Sequence, residues 1–266
     1  MTRILFVFAL FFPQFLSAQV LEKVITPEEV GRIEQILSND SFQGRKVYTE
    51  GLNKAAAFIA GEFRSSGLRP VSGDSYFQEF QVVRCKFLRA GGTLNGSSVE
   101  PRNIVALSTE PSLRVDPSTG YEWYRIGPAD TPFTVLLRLQ ESGKNYLVTL
   151  DTVHRNLLSR LKSFRREQFP GKNSLLIVLT EQVPVQYQLE FEQEVTPMSL
   201  KNVVGVLPGR KRPEEYVIYS GHYDHLGIGK PDKEGDSIFN GANDDGAGTT
   251  AVMMLARYFA QQRTNE

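Results

Sequence analysis

Two short stretches near the end of this sequence hold residue types that can do chemistry. The first is Gly221-His222-Tyr223-Asp224-His225-Leu226-Gly227. One ring nitrogen of His222 can bind a metal ion, and Asp224, two residues on, can orient that ring as carboxylates behind metal-bound histidines do. Alone, a His-x-Asp pair is weak evidence, since most such pairs are surface accidents. The second stretch is Asn240-Gly241-Ala242-Asn243-Asp244-Asp245-Gly246-Ala247-Gly248. It sets two adjacent carboxylates in a glycine-rich loop, where a missing Cβ permits unusual backbone angles and close approach. A carboxylate has two oxygens and can bridge two cations. The calcium-loop pattern fails here: counting back from Gly246 puts Gly241 at the first ligand position, and no Glu follows six residues after that glycine. Standing alone, the stretch reads as a plain Asp/Gly turn.

These residues need elements to hold them. Tyr216–Ser220 is apolar and β-branched and reads as a buried strand leading directly into His222. The carboxyl ends of sheet strands are where α/β proteins place ligands. Asn202–Leu207, closed by Pro208-Gly209, reads as a second buried strand. After the glycine-rich loop, Thr249 to Gln262 puts Val252, Leu255, Ala256 and Phe259 on one helical face.

The combined order is buried strand, His-x-Asp, a loop of about twenty residues, an Asp in a Gly-rich turn, then an amphipathic helix. This order resembles the zinc aminopeptidase family that also contains glutamate carboxypeptidases and glutaminyl cyclases. Gly44-Arg45, the Ala55-Ala56-x-x-Ile59 helix, Gly67-Leu68-x-Pro70 and Gln78-x-Phe80 resemble that family's N-terminal segment. Asn202-Val203-Val204-Gly205 and the strand before His222 resemble its first central strands. The resemblance covers about 19–88 and 200–266 and leaves 91–200 unmatched.

The resemblance implies an α/β fold, with a zinc-peptidase-like central mixed sheet flanked by helices, incomplete at the C-terminus and carrying an inserted small α/β or β-rich unit. It implies that His222 is a ligand of one zinc, that Asp244 is the carboxylate bridging two zincs, and that Asp224 orients the histidine and counts as catalytic. Asp245 would follow the bridge, where the family often has a cis peptide, and His225 has no ligand counterpart. The implied cofactor is zinc, two ions in the complete protein. The implied activity is hydrolysis of peptide bonds by an exopeptidase of aminopeptidase type, with a peptide substrate.

The family also needs a Glu general base, a neighbouring Glu ligand, a second Asp ligand and a second His ligand, all after the glycine-rich loop. Only 21 residues follow Asp245, and the one histidine besides His222 and His225 is His154. The expectation is therefore a chain that stops before its site is complete and that alone is inactive, poorly soluble and weak in zinc binding. The alternatives are a glutaminyl cyclase-like zinc transferase and a catalytically silent binding protein on the same scaffold.

Composition bounds the rest. Lys+Arg and Asp+Glu are equal at 30 each, which gives no electrostatic argument for nucleic acid or an anionic membrane as partner. Arg3, the apolar run Ile4 to Leu16 and the small residues Ser17-Ala18 read as a signal peptide over 1–18. The apolar run is shorter than the roughly 20 residues of a spanning helix. The mature protein is thus expected to be secreted or periplasmic, without a membrane after cleavage. Cys85, the single cysteine, excludes an internal disulfide and a cysteine-based zinc site, and reads as a buried, inert thiol.

Along the chain, Thr26-Pro27-Glu28-Glu29 is an N-cap, a proline at the first helical position and the acid of a capping box, predicting a helix to about Leu37. Leu52, Ala55, Ala56, Ile59 and Phe63 share one face of a second helix, which Gly67 ends. Phe77 to Phe87 reads as a strand. Residues 91–199 read as an insertion between the parts 19–90 and 200–266 of one domain. In it, strands are expected at Ile104–Leu107, Phe133–Leu139, Tyr146–Leu150 and Leu175–Leu179, an extended stretch at Val183–Val195, and a helix at Val153–Phe169. Asn39-Asp40-Ser41 and Asn95-Gly96-Ser97 are formal glycosylation sequons.

Overall fold

The structure, a computed structural model, describes residues 21–164 and 167–262. The expected signal peptide lies outside the described residues. The longer helices are α1 (Pro27–Leu37), α2 (Glu50–Ser65), α3 (Pro132–Glu141), α4 (Arg155–Phe164) and α5 (Ala247–Ala260). The chain divides into two compact units, one of residues 1–79 and 201–266 and one of residues 80–200. The division falls inside the strand Phe77–Leu94, earlier than the expected start of an insertion at 91. Among the described residues no helix is long and apolar enough to cross a membrane.

In the first unit α1 starts where its sequence dictates. The Thr26 hydroxyl accepts from the Glu29 amide at 3.3 Å, and Pro27 opens the first turn. The Glu29 carboxylate does not close a capping box. It accepts instead from Arg32 and from Arg257 on α5, whose other nitrogen reaches Glu62 on α2 at 2.8 Å. This charge network ties the three helices together at their rim. Inside it lies one apolar cluster: Ile33 and Leu37 from α1, Ala55, Ile59 and Phe63 from α2, and Met253 and Met254 from α5. Every apolar position expected on α2 is buried. Gly67 ends the helix with φ of +80°, a left-handed conformation that glycine takes at least cost.

The expected strand Asn202–Leu207 is reduced to the end of the long strand Tyr187–Val203 and to Gly205–Val206, which pairs antiparallel with Arg69–Pro70. Tyr216–Ser220 is a larger departure. It is not a strand, and Tyr216, Val217 and Ile218 are 75–84% exposed rather than buried. An apolar run supplies the side chains of a sheet strand but not its partners, and no strand pairs with it among the described residues.

The second unit carries a mixed sheet in the order Ile104–Leu107, Leu175–Leu179, Tyr146–Leu150, Glu122–Ile126, with the first pair antiparallel and the others parallel. Its two central strands are buried at every residue, which is why they read as continuous apolar runs. Alternation then assigns the faces. Val148, Leu150, Leu175 and Ile177 pack with Leu136 and Leu139 of α3 and Leu158 and Leu161 of α4. Leu147, Leu176 and Val178 pack on Leu113, Val115, Leu189 and Phe191 of a second, antiparallel sheet. Cys85 lies buried in that second sheet as expected.

Three expectations in this unit are corrected. Phe133–Leu139 is the helix α3, not a strand: Pro132 opens it, and Leu136 and Leu139, one turn apart, are its buried pair. The helix expected at Val153–Phe169 is confined to Arg155–Phe164, between a short 3₁₀ turn and the strand Glu167–Gln168. The extended stretch begins at Tyr187 and runs on to Val203.

Candidate metal centre

The three expected site residues meet in the first unit. His222 Nε2 stands 3.2 Å from Asp244 Oδ1. On the other side of the ring, Nδ1 is 3.5 Å from Asp224 Oδ1 and 3.2 Å from the Asp224 carbonyl oxygen. At zinc–ligand bonds of about 2.0–2.1 Å, two tetrahedral ligands stand about 3.3–3.4 Å apart. The spacing of Nε2 and Oδ1 therefore fits two donors on one ion; without an ion it is that of a long hydrogen bond. Asp224 stands where a carboxylate behind a metal-bound histidine belongs. Half or more of the His222 and Asp244 side chains is exposed, so the pair opens outward. Among the described residues no group of three or more His, Cys, Asp and Glu is placed to hold a metal. Two donors are fewer than the roughly four ligands of an ordinary zinc site, so the pair can form at most half of one.

The backbone around these side chains is pinned. Asp245 Oδ2 accepts from the His222 amide at 3.2 Å, and Asp245 Oδ1 accepts from the Gly248 amide at the start of α5. Thr249 Oγ1 donates to the His222 carbonyl at 3.0 Å. Both peptide groups of His222 are therefore held by the loop–helix junction that carries Asp244. A Cβ on Gly248 would stand 2.2 Å from Asp245 Oδ1, so the close approach requires glycine there. The Asp244–Asp245 peptide is cis, the feature the resemblance implied at that position. His225 is mostly buried, its Nδ1 3.8 Å from Asp244 Oδ2.

Sequence reasoning gave Arg45 no role, yet it is fully buried beneath this half-site. Its Nε donates to the Tyr223 carbonyl at 2.8 Å, Nη1 to the carbonyls of Leu37 and Asn240, and Nη2 to the Gly241 carbonyl at 2.8 Å. Its own carbonyl accepts from the His225 amide. Burial holds the guanidinium below the usual arginine range, against the pull of Asp224, Asp244 and Asp245. Burial likewise pushes the Tyr223 phenol up to about 12, with Asp224 adding to it. The signal available in the sequence was a charged residue directly after Gly44 in a short polar stretch, which says nothing of what that charge faces.

Residues 202–266, which hold all three site residues, match peptidase family M28. A probable zinc metalloprotease of Pyricularia oryzae is 42% identical over 67 residues, 25% of this chain and 13% of that protein. A probable zinc metalloprotease of Leptosphaeria maculans is 33% identical over 100 residues, 37% of this chain and 22% of its own length. The chain thus spans less than a quarter of either curated relative it matches. Among solved structures, an M28 peptidase precursor of Shewanella amazonensis is 14% identical, with 94% of this chain and 64% of that one covered at a TM-score of 0.40. An aminopeptidase of an Aneurinibacillus species is 13% identical, with 91% and 61% covered at a TM-score of 0.38. Likenesses that remote carry no argument about function.

Proposed function

We propose that this chain, whose residues 202–266 carry the pattern of peptidase family M28, is part of an exported zinc-dependent exopeptidase of aminopeptidase type. The observation that carries the reading is the spacing of His222 Nε2 and Asp244 Oδ1 inside the matched segment. Zinc bound there supplies Lewis-acid polarisation of a carbonyl and a water of lowered pKa. His222 and Asp244 would hold it. Asp224 fixes the tautomer and the plane of the His222 ring, and Asp245 and Thr249 fix the peptide that carries the ring. The two-zinc reading rests on the resemblance at Asp244, whose second carboxylate oxygen lies 3.8 Å from His225 Nδ1. Among the described residues no third His, Cys, Asp or Glu is placed to complete the site.

The substrate in this reading is a peptide with a free amino terminus. Export rests on residues 1–18 alone. The test is hydrolysis by the complete gene product of a peptide series with free, acetylated and N-terminal glutaminyl ends. Zinc-dependent release of the first residue from free ends supports the reading. Cyclisation of the glutaminyl end without hydrolysis moves the protein to a zinc cyclase, and zinc binding with neither reaction makes it a silent binding protein.

A further inference from the structure

The half-site is assembled from two loops, residues 222–225 and residues 240–246, and no hydrogen bond between the loops runs through Asp244 itself beyond its approach to His222. Arg45 reaches both. Its Nε takes the carbonyl of Tyr223, between His222 and Asp224, while Nη1 and Nη2 take the consecutive carbonyls of Asn240 and Gly241, which open the turn to Asp244. The Leu37 carbonyl at the end of α1 anchors the same guanidinium to the helical core. A planar fork with fixed donor directions can span such carbonyls at once, which a lysine ammonium cannot.

The charge is expensive where it lies. Arg45 is fully buried, and no carboxylate hydrogen-bonds to it among the contacts described. A buried cation without a paired carboxylate is destabilising unless hydrogen bonds compensate it. Here four carbonyls do so, and three of them belong to the loops that bear the ligands. The rest of the segment is shaped to the same end. Gly44 lies at φ of +62°, and a Cβ there would stand 2.5 Å from the Phe239 carbonyl and 2.7 Å from the Gly227 carbonyl. Asn240 Nδ2 closes the joint from the other side by donating to Ser38 O and Asp40 Oδ1.

We propose that Arg45 is the positioning residue of the metal half-site: its buried guanidinium sets the distance between the His222 loop and the Asp244 loop and so the affinity for zinc. The proposal rests on the reading of His222 and Asp244 as zinc ligands, and its test separates the two. Zinc is titrated into the complete gene product and followed through the amide resonances of His222 and Asp244, at a temperature where every variant is folded. Wild type, His222→Ala and Arg45→Lys are compared, with melting curves of each taken without metal.

The expected result is that Arg45→Lys, though folded, binds zinc 10–100-fold more weakly, the loss typical of a residue that orients metal ligands. A purely structural arginine would lower the melting midpoint and leave the affinity of the folded chain unchanged, and that outcome overturns the proposal. If Arg45→Lys does not fold, Asn240→Ala takes its place, since it loosens the same joint from a half-buried position. A several-fold loss of affinity then supports the proposal and an unchanged affinity refutes it. If zinc leaves the wild-type resonances untouched, or binds equally well to His222→Ala, the zinc-ligand reading itself falls and the positioning role falls with it.

Discussion

His222 Nε2 and Asp244 Oδ1 stand 3.2 Å apart although 21 residues lie between them in sequence, and neither side chain is buried. Such a distance between exposed groups is set by the backbone beneath. Asp245 and Thr249 grip the peptide of His222, and Arg45 grips the carbonyls on both sides. Because Asp224 faces the His222 ring and is half-exposed, Asp224→Asn should keep the fold and weaken zinc binding by about 10–100-fold. Competition with a chromophoric chelator measures this, and unchanged affinity would remove Asp224 from the site.

Gly44→Ala should destabilise the chain without touching a ligand. A left-handed φ costs a residue with a Cβ about 1–2 kcal/mol, and the collision with two carbonyl oxygens adds to that. Denaturant unfolding gives the difference. Gly61→Ala is the control, since nothing lies within 4 Å of its Cβ and it sits in α2, where alanine is the better helix former.

Much of this was legible in the sequence, and the failures have physical causes. The buried face of α2 follows from a 3.6-residue period, and the strands 146–150 and 175–179 from unbroken apolar runs. His222, Asp224 and Asp244 were singled out by residue type and order, and the structure brings the three together. Phe133–Leu139 misled because a short apolar run fits either period, and Pro132 was the deciding residue. Tyr216–Ser220 misled because strand pairing is made by other segments, which a local pattern does not show. Arg45 entered only through the resemblance, and its role was hidden for the same reason: its partners lie up to 196 residues away.

The network on α1, α2 and α5 predicts an acid limit to stability. Arg257 first, then Arg32, hold the Glu29 carboxyl below its usual range. A depressed folded-state pKa contributes stability that is present above the unfolded value of about 4.5 and is lost as pH falls through the folded value. Glu29→Gln should therefore melt lower than wild type at neutral pH, and the two midpoints should converge below pH of about 4.5. A gap that persists in acid would show that the carboxylate's charge is not what stabilises.

In the second unit, Leu176→Ala should cost about 2–5 kcal/mol, the range for a buried leucine in a close-packed core. Leu176 is fully buried in an inner strand of the mixed sheet, against the second sheet. Denaturant titration checks it, and a cost below about 1 kcal/mol would show that this face collapses readily around the void.

Export predicts the mature terminus. Secreted from its own source, the protein should begin at Gln19 or within a residue or two of it, read by mass spectrometry of the N-terminal peptide. A terminus that retains the run from Ile4 to Leu16 would contradict removal of a signal peptide.

The most direct test of the account is the zinc content of the complete gene product, measured by elemental analysis after dialysis, for wild type, His222→Ala and Asp244→Asn, with peptidase activity followed in parallel. The account predicts stoichiometric zinc in wild type, activity lost on chelation and restored by zinc, and both zinc and activity lost in the two variants. Variants that keep wild-type zinc and activity would contradict it, because the metal would then be held elsewhere.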